Sequence, residues 1–323
     1  MATRELTRAP RILPLYLRTA ATLVPGASHL PGVPGGSSSM PELELTLEEA
    51  RVDPRNLAAY RDVCAFEATE SIPATYPHVL AFPLHMALMA DSSFPFGAVG
   101  LVHIENEITQ VRKIGEEETL RIAVSTSAPQ AHPRGRTFAL LTSVHADDEL
   151  VWSERSTMLR REHVPEHARE SARAQEESAG DSPLSRERAT VIARETWTLP
   201  GDLGRRYGAV SGDRNPIHMY ALGGKAFGFK RAIAHGMWTN ARCLAAITHE
   251  LPDAFSVDVS FRRPIAIPGG ASFECDRQEQ AMRFAVRSRT REELHLLGEL
   301  RPTGVGKGER APAGARSSAG ARR

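Results

Sequence analysis

Cysteine is scarce. Cys64, Cys243 and Cys275 are the only three in 323 residues, they lie far apart, and no CxxC pair occurs. That excludes a disulfide scaffold or a zinc ribbon and points to a reducing cytoplasm. An excess of one charge is also lacking, since 40 Lys plus Arg stand against 39 Asp plus Glu for a formal net charge of +1. No global field therefore advertises nucleic acid or an anionic bilayer. No apolar run approaches the roughly 20 residues of a membrane span. The ILPLYL stretch between Arg11 and Arg18 is too short for a secretory core and ends in charge. The twelve histidines show no HExxH or other ligand spacing, so neither a metal nor a cofactor is expected.

What is present is enough apolar material, 41% of residues, for about two domains. Composition divides the chain into an N-terminal extension (1–45), a first folded half (46–162), a polar linker (163–188), a second folded half (189–302) and a tail (303–323). The extension is expected to lay its few apolar side chains on the body. The Gly/Ala/Arg-rich tail has no means of building a core and is expected to be disordered.

The halves share a plan. In the first, a short apolar helix from Phe82 to Ala90 precedes strand-like VGLVHIENEITQV, a turn at Gly115, and the strands LRIAVSTSA and TFALLTSVHA. In the second, a helix from His235 to Leu251 precedes SVDVSFRRPIAI, a turn at Gly269 and Gly270, then ASFECD, AMRFAVRSR and LHLLGEL. Alternation carries the strand assignments: Val257, Val259 and Phe261 against Asp258, Ser260 and Arg262, and Met282, Phe284 and Val286 against Arg283 and Arg287. Pro83 to Gly236 spans 153 residues, Leu101 to Val257 spans 156 and Gly115 to Gly269 spans 154, the near-constant offset of a duplicated unit. One helix followed by antiparallel strands, twice, is α+β order. Met237, Ala241, Leu244, Ala245 and Thr248 make one stripe, and Trp238, Cys243 and Ile247 extend it round the cylinder. Such a helix is buried, most simply by a sheet wrapped around it.

The segment from Tyr207 to Trp238 carries the chemistry. Asp202 is placed to cap a short helix through LGRRYGAV, and Ser211 with Gly212 ends it. Asp213, Asn215 and His218 then fall within six residues around Pro216, whose ring fixes its own φ and disfavours helix at Asn215. An Asp and a His five residues apart on a rigid turn can converge as an acid/base pair near neutral pH. On residue types alone the plainer account stays open and is the commoner one: Asp213 caps the next helix, Asn215 makes an Asx turn and His218 packs nearby. Downstream, AIAHGM puts His235 and Gly236 at a helix start, where outward-pointing amides and the helix dipole favour a developing oxyanion. His235 capping the helix, and Gly236 serving close packing, are the alternatives there.

SGDRNPIH followed by GFKRAIAHG resembles the signature of the MaoC-like hydratase/dehydratases, (R)-specific enoyl-thioester hydratases of hotdog fold; about ten defined positions agree over 26 residues. The strong resemblance covers about Glu195 to Pro268, and the first half looks like the degenerate hotdog of double-hotdog 3-hydroxyacyl-thioester dehydratases. The resemblance implies a double hotdog of two antiparallel sheets, each wrapped around a central helix. It implies a catalytic dyad at Asp213 and His218, the Gly236 amide for the thioester carbonyl, and Ser211, Asn215, Pro216 and His235 in support. Two departures stand out. Met219, Tyr220 and Ala221 replace an Asp-Pro pair that often follows the His, and Leu244 lies where some relatives have a small polar side chain.

The implied reaction is hydration of trans-2-enoyl thioesters, or dehydration of (R)-3-hydroxyacyl thioesters, on CoA or acyl carrier protein in fatty acid metabolism. Lys225, Lys230, Arg231, Arg262 and Arg263 are candidates for the carrier phosphates, with a solvated basic face as the alternative. Arg262 and Arg263, as strand neighbours, are expected to point opposite ways. His85 and His103 of the first half read as core or surface histidines, and with no second SGDxNPxH in residues 1–160 one site per chain is expected. The first half then supplies sheet and a roomier acyl tunnel. A homodimer is compatible with this reading. Two other readings remain on the same architecture: an acyl-thioesterase, disfavoured because hotdog thioesterases lack the Asp-to-His overhang, and a non-catalytic acyl-binding subunit, disfavoured by the intact Asp213 and His218.

Overall fold

The computed structural model of the chain describes residues 2–22, 34, 39–95, 100–162, 189–226, 228–290 and 292–304. The first half runs β1 (Ala2–Leu6), α1 (Ile12–Ala21), β2 (Leu43–Ala50), α2 (Pro54–Cys64), α3 (Tyr76–Met89), β3 (Leu101–Gln110), β4 (Leu120–Thr126), β5 (Gln130–His132), β6 (Gly135–Ala146) and β7 (Glu149–Arg161). The second runs β8 (Thr190–Leu199), α4 (Leu203–Ser211), α5 (Pro216–Met219), α6 (Ala221–Ala226), β9 (Ala232–Ile233), α7 (Gly236–Ala246), β10 (Phe255–Phe261), β11 (Ala266–Ile267), β12 (Gly269–Gln278), β13 (Ala281–Ser288) and β14 (Leu294–Pro302). The 163–188 linker, and the 303–323 tail beyond residue 304, lie outside the described residues.

Twelve strands form one sheet in the order β1-β2-β4-β6-β7-β3-β10-β14-β13-β12-β8, with β5 on β6, and β9 pairs with β11 apart from it. Read outward from its middle, the order is the same on both sides: β3, β7, β6, β4, β2 against β10, β14, β13, β12, β8. The internal repeat expected from the offsets is therefore a repeat of topology. The halves join where β3 pairs antiparallel with β10, Ile108 opposite Val257 and Glu105 opposite Ser260. Each half wraps its sheet around a nearly all-buried helix, α3 in the first and α7 in the second, giving the α+β double hotdog.

The alternation holds in detail: Val257, Val259, Met282, Phe284 and Val286 are buried while Asp258 is exposed. Several expectations are corrected. A strand precedes the helix in each half, β2 and β8, so neither unit opens on its helix. Ile12, Leu15 and Tyr16 of α1 do lie on the core, but the extension also supplies a strand, β1, which adds to β2 in parallel, and the boundary at 45 falls inside β2. The first central helix starts at Tyr76, six residues before the expected Phe82. The second ends at Ala246, because Ile247 leaves helical geometry and a 3-10 turn, Thr248–Glu250, follows. Gly269 and Gly270 open β12 and make no turn. Their missing side chains serve close approach, since a Cβ would lie 2.2 Å from the Ala266 carbonyl oxygen at Gly269 and 2.5 Å from Arg289 Cδ at Gly270. Asp202 sits at the cap position of α4, but its side chain makes no capping bond.

Candidate active site

The site begins where α4 ends. Gly212 caps that helix with φ +78°, in the left-handed region that glycine adopts without strain, and a Cβ there would lie 2.4 Å from Ile12 Cδ1. The chain then turns back on itself. Ser211 Oγ donates to the Tyr207 carbonyl at 2.9 Å and accepts the Asp213 N–H at 3.2 Å. Asp213 Oδ1 accepts the Asn215 N–H at 3.1 Å, and Asn215 Oδ1 caps α5 by accepting from Ile217 N, with Pro216 at the first helical position. The Asx turn of the plainer reading thus exists, and it is the device that presents Asp213.

His218, on α5, engages the Ile233 carbonyl through Nδ1 at 2.8 Å, so Nδ1 carries the proton and Nε2 keeps a free lone pair. The short pairing of β9 with β11 holds Ile233 in place. His235 is the residue before α7. Its side chain makes no capping bond; instead Nε2 donates to the Asp213 carbonyl at 2.9 Å, and its ring stacks on His218 with centroids 3.8 Å apart. One ligand atom from each of Asp213, His218 and His235 falls within 4.8 Å of the others, a spacing a metal could use. However, His218 Nδ1 and His235 Nε2 are already committed to backbone carbonyls, so the donors left over are the carboxylate, His218 Nε2 and His235 Nδ1.

Burial sets the charges. It pulls His218 below its ordinary value despite the Asp213 carboxylate, and pulls His235 down to about 3 with help from the His218 ring. Both imidazoles are neutral at pH 7. Burial opposes a charged Asp213, but the two imidazoles, the Asn215 N–H and the Tyr16 hydroxyl outweigh it and hold the carboxyl below the usual range. The site at neutral pH is a carboxylate beside a neutral imidazole.

These groups line a cavity of about 200 Å³ between the halves, together with Ser211, Asn215 and Gly236, the first residue of α7. Arg262 and Arg263 also line it; Lys225, Lys230 and Arg231 do not. Both arginines are exposed. They follow the end of β10, where both backbone N–H groups bond the His295 carbonyl, so strand alternation does not separate them as expected. Arg263 pairs with Glu293 at 3.1 Å. His85 is buried and bonded to Thr142, as a core histidine is, and His103 is half-buried; both also belong to the cavity wall, with His78.

Tyr16 is the residue that sequence reasoning missed. From α1 its hydroxyl reaches Asp213 Oδ1 at 3.2 Å and the Gly212 carbonyl at 3.4 Å, and accepts the Arg214 N–H at 2.7 Å. No local signal marks it, because 197 residues separate it from Asp213. Leu244 is apolar and buried, as the departure from the family pattern anticipates. The buried polar side chains of α7 are Thr239 and Asn240, and Asn240 Nδ2 donates to Asn106 Oδ1 across the seam between the halves at 3.1 Å.

Fold and site together define a double-hotdog protein with a single Asp-His centre among the described residues. A family model described as MaoC like domain matches residues 177–296. The 3-hydroxyacyl-thioester dehydratase X of Mycobacterium tuberculosis is 33% identical over 275 residues, covering 85% of this chain and 94% of that protein. The crystal structure of HtdX from the same organism superposes with a TM-score of 0.69 at 31% identity, covering 80% of this chain and 100% of that one. A MaoC-like dehydratase from Phytophthora capsici shares the fold, with a TM-score of 0.62 at 17% identity over 80% of this chain and 95% of that one. The chain belongs to the MaoC-like dehydratase family.

Proposed function

We propose that the protein is a hydro-lyase that interconverts trans-2-enoyl and (R)-3-hydroxyacyl thioesters. The observation that carries this is the pairing of a neutral His218, its Nε2 free, with an ionised Asp213 in one cavity that also contains the start of α7. In the hydration direction His218 Nε2 takes a proton from water as the hydroxyl adds to C3. Negative charge grows on the thioester oxygen, where the Gly236 N–H, without a partner inside its helix, meets it with the helix dipole behind. The proton passes to C2 through Asp213, so water is consumed whole and no net proton is taken up. Ser211, Asn215, Pro216 and His235 hold the loop that presents both groups.

Thioester carriers, CoA or acyl carrier protein, bear phosphate, and Arg262 and Arg263, which share the cavity wall with Arg134 and Arg161, are placed to meet it. No helix among the described residues is long and apolar enough to cross a membrane. The test is loss of enoyl absorbance on incubation with a short trans-2-enoyl-CoA, with chiral analysis of the product. Asp213→Asn and His218→Gln should each lower the rate by about two to four decades. Near wild-type hydration by either variant would remove that residue from the mechanism.

A further inference from the structure

The wall that the first half gives to the cavity sets three imidazoles into a hydrocarbon lining of Leu101, Val102, Ile104, Leu140, Met158 and Leu159, which a plain alkyl chain would not need. α3 presents His78, Phe82, His85 and Met89 to it, spaced as one face of a helix, and β3 adds His103. Burying three imidazoles costs free energy unless their nitrogens find partners. His78 has one: Nδ1 meets both oxygens of the buried Glu154 carboxylate at 2.9 Å, and Asn106 Nδ2 braces that carboxylate at 2.7 Å. Burial opposes a charge on His78, but Glu154 outweighs it and raises its affinity for a proton. Nδ1 facing both carboxylate oxygens is the geometry of an imidazolium–carboxylate pair, and an imidazolium has N–H on both nitrogens, which leaves Nε2–H as a spare donor. His85 uses Nε2 on Thr142 Oγ1 at 2.8 Å.

His103 is the complement. Burial and the neighbouring His78 pull it down to about 4, so it is neutral, and hydrogen bonding to the Glu105 backbone favours a proton on one nitrogen. Its Nε2 is buried with no hydrogen-bond partner among the described residues. The His78 and His103 rings lie nearly parallel, 14° apart, with centroids at 6.5 Å. A spare donor and a spare lone pair on neighbouring rings are the two hydrogen-bonding needs of a hydroxyl group. A carboxylate fits less well, because Glu154 already balances the His78 charge, and a keto oxygen would satisfy only the donor. Phe261 ties this wall to the reacting end: a Cβ on Gly236 would lie 3.1 Å from its ring, and the same ring is 5.0 Å from that of His103.

We propose that this wall is a second recognition subsite, for a hydroxyl group carried on the acyl chain beyond C3, with His78 Nε2 donating to it and His103 Nε2 accepting from it. The substrate class is then an oxygenated acyl thioester, and the inference rests on the hydration reading above. A buried site built to bond a hydroxyl discriminates strongly against the chain that lacks it, because its own polar groups are then left unpaired.

The experiment compares kcat/KM for a plain trans-2-enoyl-CoA and for chain-matched counterparts bearing one hydroxyl, moved one carbon at a time beyond C3. At one or two positions the hydroxylated substrate should be better by about tenfold or more. His103→Phe should abolish that preference, as should His78→Gln, the variant to use if the phenylalanine protein does not fold by circular dichroism. Equal turnover at every position, or a preference that survives in the folded variants, would overturn the subsite while leaving the reaction standing. Turnover of neither kind of substrate would overturn the reaction and the subsite with it.

Discussion

The Tyr16 hydroxyl lies 3.2 Å from Asp213 Oδ1, so a helix at the start of the chain steadies a carboxylate in the second half. The same oxygen accepts the Arg214 N–H, and Ile12 of the same helix abuts Gly212. Tyr16→Phe should therefore lower kcat by about tenfold with a smaller effect on KM, the scale of one hydrogen bond to a charged group. Steady-state kinetics with a short enoyl-CoA checks it. An unchanged kcat would mean that Ser211, Asn215 and His235 alone orient the carboxylate.

The charge states set the pH dependence. His218 must be neutral to accept a proton, and burial keeps its proton affinity below the ordinary value of 6.5. The midpoint of the acid limb of the activity profile should therefore lie below pH 6.5, since lowering the pH protonates the base. A kcat/KM profile with its acid midpoint at or above pH 6.5 would contradict a depressed His218.

Buried Glu154 and His78 make a second testable pair. Burial disfavours the charged Glu154, but the imidazoles of His78 and His85 and the Asn106 amide hold it at about 2 against an ordinary 4.5. Its contribution to stability is complete above pH 4.5 and is lost as pH falls from there toward 2. His78 is raised above 6.5, so its contribution is complete below that and is lost as pH rises through its folded value. Glu154→Gln should cost about 3 kcal/mol, as for breaking a buried pair, and most between pH 4.5 and 6.5. Urea denaturation of both proteins from pH 6.5 down to pH 3 measures it, and a gap that does not narrow below pH 4.5 would refute the assignment.

What the sequence showed and what it hid follow from contact distance along the chain. Asp213, Asn215, Pro216 and His218 were legible because their geometry is made locally, by an Asx turn and a proline-started helix. α7 was legible because its apolar residues run round the cylinder. Tyr16, His78 and Glu154 were not, since each acts through partners at least 48 residues away. The cavity beside His85 and His103 was hidden for the same reason: a histidine on an apolar helix face or in an alternating strand looks identical whether the space beyond it is packed or a cavity. Arg262 and Arg263 misled because alternation was carried past the point where β10 ends.

Gly236 offers the sharpest test of where the thioester binds. Its position at the start of a helix needs no unusual backbone, and alanine is the better helix former by about 1 kcal/mol. The added methyl would lie 3.1 Å from two carbons of the Phe261 ring, a contact the ring must relieve by a few tenths of an ångström. These effects on stability oppose each other, so Gly236→Ala should melt within a few degrees of wild type. Its kcat/KM should nevertheless fall by about a hundredfold, the scale of a lost oxyanion donor, because the methyl and the displaced ring occupy the approach to the amide. Calorimetry with enoyl-CoA kinetics separates the two. A variant that melts normally and hydrates normally would place the thioester oxygen somewhere other than the start of α7.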